Sequence, residues 1–233
     1  MLIAAHDAGV ATLTLDRPEL GNALGPALVE ALIAETSRAV QDDALHTLVL
    51  RANGRHFCTG LDLSGLESLS DGDLLLRLVR VETLLSMWWH APLRTVALAQ
   101  GRTWGAGADL FAVCEQRVAA VGTTFRFPGA QFGIVLGTRR LAQRIGVDAA
   151  RRLVLEGGEF DTAQAHAAGL VSAMGTTPPS GEPVVQGRTA GAIRAASRAD
   201  LRDADLAALV RSAAEPGLVA RITVYRARQL ARR

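Results

Sequence analysis

Two groups that can do chemistry together lie within four residues: the backbone N–H groups of Ala106 and Gly107, and the carboxyl of Asp109. Gly101, Gly105 and Gly107 let the chain turn tightly there and approach a ligand with no side chain in between. A helix that begins at this point leaves its first N–H groups unpaired and presents the positive end of its dipole. It can therefore hold an oxygen that becomes negative during a reaction. Asp109, in the first turn, sits beside that spot. The plainer alternative is an acid that merely complements the helix dipole.

The surrounding pattern supplies elements to hold this turn. Residues 95–100 form an apolar run suited to a buried strand, and residues 108–114 are apolar almost all round, as expected of a helix in the middle of a domain. Upstream, the alternation VATLTL at 10–15 reads as a half-buried strand. Residues 26–40 read as a helix with Pro26 in its first turn, and 47–50 as a second strand. Strand, helix, strand implies a parallel crossover. A glycine-containing loop, 52–63, follows. In it Asp62 reads as a cap or turn acid and His56 as a solvated loop residue.

Residues 73–89 carry a broad apolar helical face ending in Trp88-Trp89-His90, which is either core or one wall of an acyl pocket. Short strands are expected at 117–120 and 124–127, and helices at 138–145, 148–155 and 162–168. His166 is expected on a polar face. TTPPSGE at 176–182 is a composition break and the best linker candidate, dividing a core of 1–175 from a helical region of 176–233. Residues 176–233 carry ten arginines and no lysine, a pattern that fits a solvated basic face or a phosphate contact.

Composition narrows the classes. The chain has 233 residues, 49% hydrophobic and 21% charged, enough to bury one sizeable core. Its 25 basic and 23 acidic residues nearly cancel to +2, which gives no general attraction to nucleic acid. With no apolar leader at Met1 and no uninterrupted apolar run of membrane length, a cytoplasmic protein that does not enter membranes is expected. Cys58 and Cys114 sit in apolar surroundings as small core residues, and no Cys/His spacing suggests a metal or redox cofactor. Residues 101–107 lack the spacing of a dinucleotide or P-loop site, and no G-x-S-x-G turn occurs.

Several of these pieces, in this order, resemble the enoyl-CoA hydratase/isomerase, or crotonase, superfamily. They are Asp16-Arg17-Pro18 with Asn22-Ala23-Leu24, residues 57–63 (FCTGLDL), residues 101–110, Arg140-Leu141 before Ile145-Gly146, and residues 165–171 ending in Gly169-Leu170-Val171. The resemblance covers about residues 10–174. It implies an α/β spiral of repeated ββα units with a short C-terminal helical region, assembled as a trimer or a dimer of trimers. It also implies an acyl-CoA thioester ligand, with CoA entering as part of the substrate and no separate cofactor. By match, the N–H groups of Leu61 and Ala106 hold the thioester oxygen as it becomes an enolate, and Asp109 is the acid or base.

This chain departs from the family pattern where the second acid belongs. Family hydratases place a glutamate at the position of Asp109 and another after a Phe-x-x-Pro stretch; here Phe125-Arg126-Phe127-Pro128 is followed by Gly129. Hydration divides water activation and proton delivery between two acids, so isomerisation or decarboxylation is the favoured expectation. Arg126, Gln131, Arg139, Glu82 and His90 are candidates to replace the missing carboxylate. A true hydratase with rearranged groups and a non-catalytic acyl-CoA-binding paralogue are the alternatives.

Overall fold

The structure, a computed structural model, describes residues 1–178 and 181–231. Nine strands and nine α-helices occur among them, in the order β1 (Leu2–Asp7), β2 (Val10–Leu15), α1 (Pro26–Gln41), β3 (Thr47–Ala52), α2 (Asp71–Trp89), β4 (Arg94–Ala99), β5 (Arg102–Trp104) and α3 (Ala106–Val113). There follow β6 (Gln116–Ala119), β7 (Thr124–Arg126), α4 (Thr138–Ile145), α5 (Val147–Leu155), β8 (Glu159–Asp161), α6 (Thr162–Ala167), β9 (Ala173–Met174), α7 (Gly187–Ala196), α8 (Arg202–Ala213) and α9 (Leu218–Leu230). The linker candidate falls partly on residues 179–180, outside the described residues.

The larger sheet has the order β1-β2-β3-β4-β6-β9, antiparallel only between β1 and β2. The expected crossover is present: β2 and β3 pair in parallel, with Leu13 opposite Leu50. Its inner strands are buried on both faces, as parallel strands require. Leu48 and Leu50 enter the main core, whereas Val49, Val96, Leu98 and Val118 form a separate cluster. The second sheet, β5-β7-β8, is extended by two single bridges, Cys58 with Thr103 and Leu24 with Leu61. Each turn of the chain thus places a strand in the large sheet, a strand or bridge in the small one, and then a helix. This is the spiral of ββα units.

Sequence periodicity missed four strands: β1, β5 and the short β8 and β9. β1 is an exposed edge whose pattern, LIAAHD, does not alternate. β5 is three residues long and lies inside the stretch read as a glycine turn. Two further expectations are corrected or resolved. His56 is half-buried rather than solvated, its Nδ1 accepting the Arg102 N–H at 3.1 Å and so joining the loop to β5. Trp88 and Trp89 are core: the Trp88 indole donates to Thr36 Oγ1 at 2.9 Å, and Trp89 lies between the guanidinium groups of Arg144 and Arg198.

The C-terminal helices build on the core. Leu209 and Ala213 of α8 and Leu218 and Ile222 of α9 form a buried cluster with Leu66, Leu74, Leu78 and Ile134. Asp71, at the start of α2, accepts the N–H groups of Gly217 and Val219 at 2.8 Å each. These hydrogen bonds hold its carboxyl below the usual carboxylate range.

Candidate active site

All eight residues of α3 are buried, so this helix start lies inside the molecule, where an unpaired N–H is costly unless it is used. Gly105 precedes it at φ 54°, ψ −133°, a backbone shape open to glycine and strained for other residues. Gly107 has a different reason for lacking a side chain. A Cβ there would meet Cys58 O at 2.5 Å and Cys58 Sγ at 2.7 Å, so its absence lets α3 lie directly on the 57–63 loop.

That loop is fixed from both sides. The Leu24 N–H donates to Gly60 O at 2.8 Å, the Asp62 N–H to Leu24 O at 3.1 Å, and the Trp104 N–H to Cys58 O at 2.9 Å. Asp62 itself is a turn acid, as expected: it accepts the Ser64 N–H at 2.9 Å and pairs with Arg17 at 2.9 Å. Gly60, at φ 103°, passes so close to the start of α3 that a Cβ on it would stand 3.6 Å from the Ala106 nitrogen. Among the described residues, neither the Leu61 N–H nor the Ala106 N–H has an acceptor. Both residues line a cavity of about 120 Å³.

The cavity is lined mostly by apolar groups, among them Leu63, Phe127, Phe132, Leu136 and Ile222. Among the described residues two lining side chains titrate, Asp109 and Tyr225. Asp109 is 6% exposed, and burial pushes its carboxyl well above the usual range, against the opposing pull of Arg140; Glu82 adds to the rise. Among the described residues it has no hydrogen-bond partner. Its Oδ1 packs against Gly137, the residue that begins α4, where a Cβ would overlap it. Tyr225 reaches the cavity from α9 and packs on Phe132 with ring centroids 5.0 Å apart. Burial raises its phenol.

None of the five groups considered as replacements for the second acid lines the cavity. Glu82 is bound to Arg140, Arg139 to Asp205 at 2.7 Å, and Arg126 lies over the Trp104 ring. His90 faces Asp200 at 3.8 Å, with burial lowering its imidazole. Gln131 sits beside Gly157. Gly129 does line the cavity, and it offers no side chain there.

Two lining residues went unnoticed in the sequence. Trp104 is held by its indole donating to Thr124 at 2.9 Å and by Arg102 and Arg126 on its ring. Its only signal was an aromatic side chain inside a glycine turn. Tyr225 is the sole tyrosine of the chain, but nothing local says that α9 folds over the cavity.

Strand, short strand and helix repeated in a spiral, with an inward helix start beside a glycine-flanked loop, define the crotonase fold. The chain belongs to the enoyl-CoA hydratase/isomerase family, whose family model matches residues 5–191. It is 34% identical over 179 residues to the 2,3-dehydroadipyl-CoA hydratase of Escherichia coli (73% of this chain, 68% of that protein). It is 32% identical over 180 residues to the enoyl-CoA isomerase/hydratase fer4 of Mycosarcoma maydis (72% and 66%). The matches thus span about two thirds of these curated relatives. A solved structure from Bordetella parapertussis, assigned to the enoyl-CoA hydratase/isomerases, superposes with a TM-score of 0.91 at 39% identity, covering 96% of this chain and 97% of that one. Among the described residues no helix is long and apolar enough to cross a membrane.

Proposed function

We propose that this protein acts on an acyl-CoA thioester, holding the thioester oxygen as an enolate between the Leu61 and Ala106 N–H groups, with Asp109 as the proton carrier. The observation that carries the reading is that Asp109 is the only carboxyl on the cavity wall among the described residues and is buried so that its neutral form is favoured. A neutral carboxyl is ready to give a proton and ill-suited to activating water. Hydration needs a second group to hold and deprotonate that water, and Gly129 cannot.

Loss of carbon dioxide from a β-carboxyacyl thioester fits this arrangement directly. The bond from the α-carbon to the carboxylate breaks, its electron pair moves into the thioester enolate, and the two N–H groups bear the charge on oxygen. Asp109 then protonates the α-carbon. Isomerisation of a double bond uses the same enolate but requires Asp109 to start ionised and take a proton first. Burial makes that order the harder of the two.

The same reading includes CoA as part of the substrate with no separate cofactor, assembly as a trimer or a dimer of trimers, and a cytoplasmic location. The test is a mass-spectrometric turnover screen of enoyl-, malonyl- and hydroxyacyl-CoA thioesters with wild type beside Asp109→Asn. We expect carbon dioxide loss or a double-bond shift, reduced about 10²–10⁴-fold in the variant while thioester binding persists. Retained turnover in Asp109→Asn, or water addition as the main reaction, overturns the reading. Binding without turnover of any thioester identifies a non-catalytic paralogue.

A further inference from the structure

A buried charge cluster whose members do not line the cavity ties three helices together. Arg140, 2% exposed, donates from Nη1 to Glu82 Oε2 at 2.9 Å and from Nη2 to Glu82 Oε1 at 2.5 Å. The same Nη2 stands 3.3 Å from Asp205 Oδ2, and Arg139 pairs with the other oxygen of Asp205 at 2.7 Å. Glu82 belongs to α2, Arg140 to α4 and Asp205 to α8. Arg140 is the third residue of α4, the helix whose preceding residue, Gly137, touches the Asp109 carboxyl. Its Nε is buried without a partner. Burying these charges is expensive, and an apolar trio would hold the helices equally well.

We infer that the Arg140–Glu82–Asp205 cluster is a positioning device for Asp109, governing whether that carboxyl carries a proton and coupling helix α8 of the C-terminal region to the reaction. The inference rests on the proposed role of Asp109 as proton carrier. The charges that bear on Asp109 are Arg140 of α4 and Glu82 of α2; Asp205 of α8 acts through Arg140, 3.3 Å away, and the phenol of Tyr225 on α9 is the other titratable group among the described residues of the cavity wall. Glu82 and Asp205 together hold the single guanidinium of Arg140 and blunt its attraction for a charge on Asp109. Removing either carboxylate leaves Arg140 less compensated, so Asp109 should ionise more readily.

The experiment reads the Asp109 carboxyl by infrared difference spectroscopy across pH in the unliganded protein, with Asp109→Asn identifying its band. Glu82→Gln and Asp205→Asn are compared with wild type. Asp205 lies on α8 away from the cavity, so its variant remains informative if the buried Glu82→Gln does not fold. We expect the titration to move at least about tenfold in proton affinity, or one pH unit, toward acid in each variant that folds. Double variants carrying Arg140→Lys, which retains the charge, should keep that shift. Titration at the wild-type pH in every folded single variant overturns the inference. Because no thioester is present, this outcome is independent of turnover. A shifted band without activity on any thioester would leave the cluster's role standing and remove the proposed reaction instead.

Discussion

At the scale of the residue, Asp109 is maintained at a cost to stability. Its folded proton affinity is raised above the unfolded value of 3.8, so the folded state binds the proton more tightly than the unfolded chain does. Its contribution is fully present below that value and is lost as pH rises through the elevated folded one. Asparagine has no charge to bury at any pH. Asp109→Asn should therefore melt with wild type near pH 3.5 and progressively above it as pH approaches neutrality, by several degrees, in calorimetry across pH; equal melting at all pH values would contradict the burial argument. Turnover that uses Asp109 as an acid should fall as pH rises through the same elevated value. Gly129 offers the converse test. Its backbone is not left-handed, and a Cβ there would stand 3.3 Å from Ile134 O, close enough to need only a small adjustment. Gly129→Glu should gain hydration of an enoyl-CoA by about 10²-fold, followed as loss of the conjugated thioester absorbance. No gain would show that the missing carboxylate is not what limits hydration.

At the scale of the element, the start of α4 matters as much as the start of α3. Gly137 is at φ 66° and has the Asp109 carboxyl where a Cβ would project. Gly137→Ala should displace that carboxyl and lower kcat by roughly 10²-fold, since a misplacement of about 1 Å can have that effect. The check is a kcat measurement beside a melting curve. An unchanged kcat would mean that the position of the Asp109 carboxyl does not matter. Helix α2 shows the complementary case of an element whose start the apolar pattern alone misplaced. Ser70 and Asp73 form a reciprocal cap, Ser70 Oγ accepting the Asp73 N–H at 3.1 Å and Asp73 Oδ2 accepting the Ser70 N–H at 2.9 Å. The helix begins two residues earlier than its apolar pattern, because caps rather than hydrophobic spacing decide where a helix can start.

At the scale of the whole molecule, α8 and α9 complete the site. Leu218, fully buried, anchors α9 in the cluster that also holds Leu74 and Leu78 of α2. Ile222 and Tyr225, one and two turns further along, then reach the cavity. Leu218→Ala should destabilise the fold by about 2–5 kcal/mol, measured by denaturant unfolding. The loosened α9 should also raise KM for a thioester more than it changes kcat. A variant with wild-type stability would mean that α9 is not held by this contact. The trimer or dimer of trimers is checked by light scattering on the purified protein: a mass that is not a multiple of three chains of 24.6 kDa removes that proposal.

The local sequence was enough to specify the inner strands and the buried α3, and the resemblance to the family pointed to the approach of residues 57–63 to residue 106. Each of these depends on backbone freedom, hydrophobic period or the identity of one residue. Tertiary structure alone decided which polar groups face the cavity. Glu82, Arg139 and His90 looked like candidate acids and bases because their chemistry suits the work, but packing turns them toward Arg140, Asp205 and Asp200. Tyr225 carried no local signal because its place depends on α9 folding back across more than a hundred residues to reach the cavity that Ala106 and Asp109 also line. The charge state of Asp109 was likewise unreadable in sequence, since it follows from desolvation and from the balance of Arg140 against Glu82. Period and spacing are properties of neighbours in the chain, whereas burial and field belong to the folded volume.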